Sequence, residues 1–176
     1  MKKRIGIILA VILSCTLGVG ITLALLSSVS RPVVNTFTIG EVAISLDEST
    51  GTSYKMIPGV THEKDPSITV HKGSEACWLF FKIEKSVDFD DYVTYLIAQG
   101  WTPLDSDPSV YWRSVPATSD DCVFHLLLDD KVTIKDTVTE QKLASLSRLP
   151  TIKFYAYAIQ SEGIDSPTIA WQNVSQ

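Results

Sequence analysis

Cysteine, histidine and basic residues are scarce in this chain. It has three cysteines and three histidines, and its 15 Lys and Arg face 20 Asp and Glu, for a formal net charge of −5. Three of the basic residues lie at positions 2–4, so the chain beyond its N-terminal segment carries a net charge of −8. Nucleic acids and anionic lipid surfaces are bound through clustered Lys and Arg. The composition therefore argues against both as partners.

The N-terminal segment is typical of a secretion signal. Lys2, Lys3 and Arg4 precede a run without charged residues at 5–26. A short basic segment followed by an apolar one directs a chain to export. The run is also long enough to cross a hydrocarbon core of ~30 Å as a helix. Cleavage is the expected outcome, and an uncleaved segment that anchors the chain in the membrane is the alternative.

The preferred cleavage site follows Ala24. Thr22 and Ala24 fit the small-x-small pattern of signal cleavage, which would release a chain that begins at Leu25. Processing near Ser27 or Ser28 is the second choice. The predicted organisation is a signal peptide at 1–24, a mobile lead-in at 25–34 and a single domain at 35–176. We expect the product to be secreted, or held on the cell surface, by a Gram-positive-type bacterium.

Beyond Ser30, apolar and polar residues alternate with a period of two, as in half-buried strands. Pro-Gly, Asp-Pro and Lys-Gly turn signals separate the alternating runs. The predicted strands cover 37–39, 42–46, 54–57, 67–71, 77–84, 109–113, 122–128, 131–135 and 151–160. Short strands at this spacing predict a mainly β fold, a jelly-roll-like antiparallel β-sandwich.

One main helix is predicted at 88–99. Its apolar residues follow the spacing i, i+3, i+4, i+7 and i+8, at Phe89, Tyr92, Val93, Leu96 and Ile97. Ser86 is the candidate N-cap and Gly100 the candidate stop. Two minor helices are predicted at 139–146 and 167–174, the second with Ser166 before a proline at its first position.

Two cysteines remain after cleavage, because Cys15 lies in the signal segment. Cys77 and Cys122 could form a disulfide in an exported protein. Closing a loop of this length would stabilise the fold by about 4 kcal/mol. Two free thiols are the alternative, since sequence alone does not establish the pairing geometry. Both readings stay open.

The three histidines are the natural candidates for a metal site. His62 and Glu63 begin like a zinc-protease motif, but Pro66 stands where the second histidine ligand belongs and breaks the helix that the motif needs. His71 and His125 lie on separate predicted strands. Zinc bound by His62, His71 and His125 is therefore a minor alternative to solvated histidines.

Three pairs of adjacent acids offer oxygen ligands to calcium, at 90–91, 120–121 and 129–130. Adjacent acids in turns more often form a solvated surface. No cofactor is expected, with zinc and calcium as the alternatives. The four tryptophans are expected in the core rather than on a ligand-binding shelf.

The segment 32–48 resembles the N-terminal motif of the TasA and camelysin family. It reads Pro-Val-Val-Asn-Thr-Phe-Thr-Ile-Gly-Glu-Val-Ala-Ile-Ser-Leu-Asp-Glu, which is similar to the family's Asn-Thr-Phe-Thr-x-Gly-x-Val-x-Ile-x-Leu. Residues 54–59 and 64–70 resemble the family's strand, Pro-Gly turn and Lys-Asp-Pro strand. The resemblance covers 1–85 and, loosely, 152–171. Family members carry a long SipW-type signal peptide; this chain lacks the aromatic pair that often follows their cleavage site, which leaves its peptidase open.

The resemblance implies a structural subunit of the cell surface or of the extracellular biofilm matrix. Some family members polymerise by donating an N-terminal strand, and an extended peptide can add to a sheet edge through backbone hydrogen bonds. In this chain the implied donor is 25–39, with Val33, Val34, Asn35, Phe37 and Ile39 as assembly residues. The alternative is that this segment folds back on its own sheet.

The expected partners are other copies of the chain or matrix proteins, with membrane contact only through an uncleaved signal. The family also carries a metallopeptidase label through camelysin. Because the helical zinc motif is absent from this sequence, a non-enzymatic structural subunit is favoured over a zinc-dependent surface metallopeptidase.

Overall fold

Alternating and β-branched segments form most of the regular structure. The computed structural model describes residues 41–51 and 53–175, which belong to one compact unit that spans Ile39–Gln176. The strands are β1 (Ile44–Asp47), β2 (Thr61–Glu63), β3 (Ser67–Val70), β4 (Cys77–Lys85), β5 (Val93–Ile97), β6 (Thr102–Leu104), β7 (Asp107–Val115), β8 (Cys122–His125), β9 (Leu127–Ile134) and β10 (Ile152–Gln160). The helices are α1 (Phe89–Tyr92), α2 (Glu140–Ala144) and α3 (Pro167–Val174).

The strands pair into three antiparallel sheets. The four-stranded sheet has the order β10-β4-β7-β6, and the two three-stranded sheets have the orders β1-β3-β8 and β2-β9-β5. Buried side chains of both three-stranded sheets face the same side of the four-stranded sheet. The predicted antiparallel β-sandwich with few helices is confirmed.

A strongly apolar stretch, Cys-Trp-Leu-Phe-Phe-Lys-Ile, lies in β4 at the centre of the four-stranded sheet. Leu79 and Phe81 of β4 face the sandwich interior, where Ile68 and Val70 of β3 pack against them. Phe80 points to the other face, which α3 covers with Trp171 at 5.5 Å between ring centroids. β4 is therefore buried on both faces, which is why its apolar residues run continuously instead of alternating.

The predicted main helix at 88–99 is wrong. Only the four residues of α1 are helical, and β5 follows at once and pairs with β9. Residues 93–97 are rich in β-branched and aromatic side chains, and their alternation buries Val93 while Leu96 stays 65% exposed. The apolar spacing fitted a helical stripe and a strand equally well, and pairing with β9 decided for the strand. Gly100, with φ of +85°, follows a strand rather than a helix.

Two strand predictions are also corrected. Residues 54–57 form an irregular loop, in which Tyr54 bonds to the neighbouring loop residues Glu48 and Gly51. The predicted strand at 122–128 is interrupted at Leu126, so β8 and β9 belong to different sheets. The two minor helices are confirmed as α2 and α3. Ser166 accepts a backbone hydrogen bond as the N-cap of α3, and Thr139, which was predicted inside its helix, is the N-cap of α2.

The predicted signal peptide at 1–24, its cleavage residues Thr22 and Ala24, and the lead-in at 25–34 lie outside the described residues. None of the helices among residues 41–51 and 53–175 has the length and apolar character needed to span a membrane.

Candidate functional site

Among the described strands, β10 has the longest edge that pairs with no other strand. β10 has nine residues and pairs with β4 along its whole length, from Ile152 opposite Lys85 to Gln160 opposite Cys77. Within the described part of the chain, no strand pairs with its other edge. β10 carries one charged residue, Lys153, and neither proline nor a register shift. Natural sheet edges are usually blunted by charge, proline or bulges, and this one is hardly blunted.

The register shows which backbone groups of β10 face outward. At the two ends of the ladder, Ser86 N–H donates to Thr151 O and Ser161 N–H donates to Ala76 O. Backbone direction alternates along an antiparallel strand, so the odd-numbered residues between them bond to β4. The N–H and C=O groups that point away from β4 therefore belong to Ile152, Phe154, Ala156, Ala158 and Gln160.

A pocket of about 620 Å³ opens beside the first half of β10. Its walls come from the end of β1, the loop that follows it, α1, β5, β9 and residues 149–155. Apolar side chains dominate the lining, among them Leu46, Met56, Phe89, Val132, Ile152 and Phe154. The sandwich thus has a gap between its layers at the same strand whose edge is free.

An ion pair between the buried Lys64 and the half-buried Glu48 forms the polar wall of this pocket. Lys64 Nζ lies 2.6 Å from Glu48 Oε1, and the two side chains are 6% and 19% exposed. The ammonium also lies 5.3 Å from the ring centroid of Tyr54 and 5.6 Å from that of Phe154. Tyr54 donates its hydroxyl hydrogen bond to the same Glu48 oxygen. Glu48 therefore joins the loop after β1 to the segment between β2 and β3.

The loop after β1 is fixed further by Asp65. Ser49 and Thr50 each donate a backbone N–H and a hydroxyl hydrogen bond to its carboxylate. These hydrogen bonds, that of the Ser49 hydroxyl first, hold the pKa of Asp65 well below its usual value. Asp65 thus acts as a clamp that holds one wall of the pocket in place.

The opposite side of the sandwich, beside β8, is closed by aromatic packing. Trp101 is buried, with its ring 4.7 Å from that of Phe81, and its indole N–H donates to His125 O at 2.9 Å. The Arg113 guanidinium stacks 4.1 Å from the ring centroid of Phe124 and 5.3 Å from that of Trp101. We call Trp101, Arg113 and Phe124 the Trp101 cluster. Its cation is held by ring faces, and burial lowers the pKa of Arg113.

The histidines proposed for zinc lie at three separate places. His62 is on β2 and bonds to Lys55 O, while His71 follows β3 and lies 3.7 Å from Asp121. His125 bonds to Asp130 at 3.0 Å, at the end of the β3–β8 ladder opposite to His71. Among the described residues, no group of three His, Cys, Asp or Glu side chains converges as metal ligands do.

The three acidic pairs also serve other contacts. Asp90 bonds to Lys85, and Asp121 accepts the Lys72 N–H, which lowers its pKa. Asp129 and Asp130 both have positive φ, near +55°, where β9 departs from its regular pairing with β5. That backbone conformation is strained for residues other than glycine, and it belongs to the bulge.

The two cysteines in the described part of the chain, Cys77 and Cys122, are free thiols. Cys77 is fully buried on β4, and burial raises the pKa of its thiol to about 11. Cys122 is half-buried on β8, with Sγ 3.4 Å from Thr118 Oγ1. Of the two readings that the sequence left open, the structure has the unpaired one. A buried thiol with a raised pKa is a poor nucleophile, so Cys77 has a packing role.

Two of the four tryptophans are buried as expected, Trp101 and Trp171. Trp78 and Trp112 are half-buried and meet edge to face at 5.3 Å on the α3 side of the four-stranded sheet. The predicted assembly residues Val33, Val34, Asn35, Phe37 and Ile39 lie outside the described residues.

No known protein family matches this chain, and neither a curated protein nor a solved structure is significantly similar to it.

Proposed function

We propose that this chain is an exported structural subunit of the cell surface or extracellular matrix that self-associates by strand addition at β10. The observation that carries the proposal is the free nine-residue edge of β10, which lies beside an open gap between the layers. An incoming strand would meet a row of backbone donors and acceptors and a place for its side chains. Strand addition uses these two features together.

Two contributions would stabilise an added strand, namely backbone hydrogen bonds to β10 and the burial of apolar side chains. Five residues of β10 direct their backbone groups outward, and each net hydrogen bond contributes about 0.5–1.5 kcal/mol. Alternate side chains of the added strand would face the gap beside Ile152 and Phe154, both of which line the pocket. Apolar side chains there add about 25 cal/mol per Å² of surface removed from water.

The N-terminal segment 25–39 is the proposed donor. It leads directly toward β1, carries a single charged residue, Arg31, and contains Val33, Val34 and Phe37 as apolar anchors. Export supports this assignment, because signal cleavage would set the segment free outside the cell. The zinc peptidase remains a weaker candidate, because the described histidines do not converge.

The first test removes the donor. The chain that begins at Leu25 is compared with a variant that lacks 25–34, by size-exclusion chromatography and electron microscopy. We expect concentration-dependent oligomers or fibres from the first and a folded monomer from the second. Phe37→Ala should also abolish association, because truncation of a buried phenylalanine costs about 3–5 kcal/mol.

The second test blocks the acceptor edge. Ala156→Pro removes a backbone N–H that points away from β4, so the β4–β10 ladder keeps its bonds while the free edge loses a donor. Ala156→Ser keeps the N–H and nearly the same size, and serves as the matched control. We expect assembly to fail in the proline variant alone, with cooperative unfolding retained in both. Monomers at every concentration in the unmodified chain, or fibres from Ala156→Pro equal to those from Ala156→Ser, would contradict strand addition at β10.

A further inference from the structure

We infer that the pocket beside the first half of β10 binds an uncharged, elongated apolar molecule with one oxygen acceptor, of the fatty alcohol or acyl ester class. The inference does not rest on the proposed function, because ligand binding is measured without assembly. Both proposals use the space beside Ile152 and Phe154, so a donated strand and a ligand would compete there.

The size and lining of the pocket suit such a molecule. Its volume of about 620 Å³ falls within the 300–1,000 Å³ typical of small-molecule sites. Apolar side chains from both layers line it, including Leu46, Phe89, Val132 and Phe154. A methylene group takes up roughly the 30 Å³ share of a water molecule in liquid water, so a chain of about twelve carbons fits.

Lys64 supplies the polar contact. Its side chain is more than nine-tenths buried, and Glu48 is its only hydrogen-bond acceptor among the described residues. An ammonium has three N–H donors, and buried donors without acceptors are unfavourable by about 1–3 kcal/mol each. The rings of Tyr54 and Phe154 stabilise the positive charge but offer no oxygen. An oxygen atom of a ligand in the pocket would satisfy a remaining N–H.

The charges of the lining select an uncharged ligand. The charged residues among its described lining are Asp47, Glu48, Lys64 and Lys153, which sum to zero. Glu48 already balances the Lys64 ammonium at 2.6 Å. A ligand carboxylate would place a second negative charge beside Glu48 in an apolar site, which is unfavourable. A hydroxyl or ester oxygen accepts the hydrogen bond without that penalty.

The test uses the chain that begins at Leu25, which keeps the whole compact unit of Ile39–Gln176. The neutral fluorophore N-phenyl-1-naphthylamine reports on the pocket, and 1-dodecanol and dodecanoate at pH 8 compete for it. We expect saturable fluorophore binding, and displacement by dodecanol at a concentration at least tenfold below that of dodecanoate. Equal displacement by both would overturn the assignment of an uncharged ligand, and absence of saturable binding would overturn the site.

Two variants locate the binding. Leu46→Trp fills the pocket from β1, and its matched control Val123→Trp places the same ring on β8, the other edge of the same three-stranded sheet. Only Leu46→Trp should abolish binding.

A double variant, Lys64→Met with Glu48→Gln, tests the polar contact. The fluorophore should still bind to it, while the affinity for dodecanol should fall about tenfold, which corresponds to the loss of one hydrogen bond. Unchanged dodecanol affinity there would overturn the role of Lys64. Assembly is measured separately at the Ala156 edge, so failure of either proposal leaves the other standing.

Discussion

The two long sides of the sandwich are built differently. On the β8 side, the Trp101 cluster fills the space between the layers, and a hydrogen bond from the Trp101 indole to His125 O joins them. On the β10 side, the layers enclose a pocket whose polar wall is the Lys64–Glu48 ion pair. The space between the layers is therefore filled by side chains on the β8 side and remains open on the β10 side.

The difference indicates where stability and where function reside. Tight aromatic packing stabilises a fold. Side chains that line a gap lack packing partners on one side and lose the dispersion contacts that those partners would provide. Binding regions are usually drawn from the less stable parts of a structure. We therefore expect the β8 side to hold the domain together and the β10 side to bind.

The largest effect is expected from Trp101→Ala. Loss of this buried indole removes its packing on Phe81 and its hydrogen bond to His125, so the free energy of unfolding should fall by about 4 kcal/mol. Phe154→Ala, the matched truncation on the β10 side, should lower it by only about 2 kcal/mol, because its ring already borders a cavity. Urea unfolding measures both. Equal losses would remove the contrast between the two sides.

The ion pair should behave as a coupled unit. Lys64→Met leaves the partly buried Glu48 carboxylate without its cation, and we expect a loss of about 3 kcal/mol. Adding Glu48→Leu removes the unpaired charge and should return stability to within about 1 kcal/mol of the unmodified chain. A double-mutant cycle in urea measures this coupling. Additive losses would mean that the pair contributes little to the β10 side.

Gly100 tests how tightly the β8 side is packed. Its φ is +85°, and a methyl group on it would lie 3.2 Å from Nη2 of Arg113. Gly73 has a similar φ of +82° but nothing within 4 Å of that position, which makes Gly73→Ala the matched control. The backbone conformation alone costs an alanine about 1 kcal/mol. Gly100→Ala should cost about 2 kcal/mol because the guanidinium must shift, and thermal unfolding should separate the two variants.

The sequence predicted the fold class and most strands, because alternation and turn signals are local. It missed the three-residue strands β2 and β6. It also missed β5, where Val93, Leu96 and Ile97 fit a helical period while Val93, Tyr95 and Ile97 fit a strand period, and only pairing with β9 decides between them. Tertiary contacts outweighed the local pattern there.

The candidate site was harder to predict. That 151–160 would be a strand could be read from its residues, but that it would lie at an edge depends on the strand order of the whole sheet. Lys64 and Glu48 are 16 positions apart, and nothing in the local pattern distinguishes them from surface charges. Lys64, Asp65 and Pro66 stood out in the sequence only through the family resemblance and as a turn signal, and not as part of a site.

The smallest effect concerns pH and the loop that forms the wall of the pocket. Hydrogen bonds from Ser49 and Thr50 lower the pKa of Asp65 below the value near 3.9 of an unfolded chain. A carboxylate with a lowered folded pKa stabilises the fold above its unfolded pKa, and that contribution is lost as pH falls toward the folded value. The difference in melting temperature between the unmodified chain and Asp65→Asn should therefore be constant from pH 7 to 5 and shrink below about pH 4.

The control is Asp105→Asn, which changes an exposed acid before β7 and should leave the melting temperature at pH 7 unchanged. Amide hydrogen exchange should at the same time show faster exchange at 48–51 in Asp65→Asn, with the Trp101 cluster unaffected. A difference that stays the same at pH 7 and pH 2.5, or exchange that rises equally on both sides, would show that the Asp65 carboxylate does not hold the wall on the β10 side.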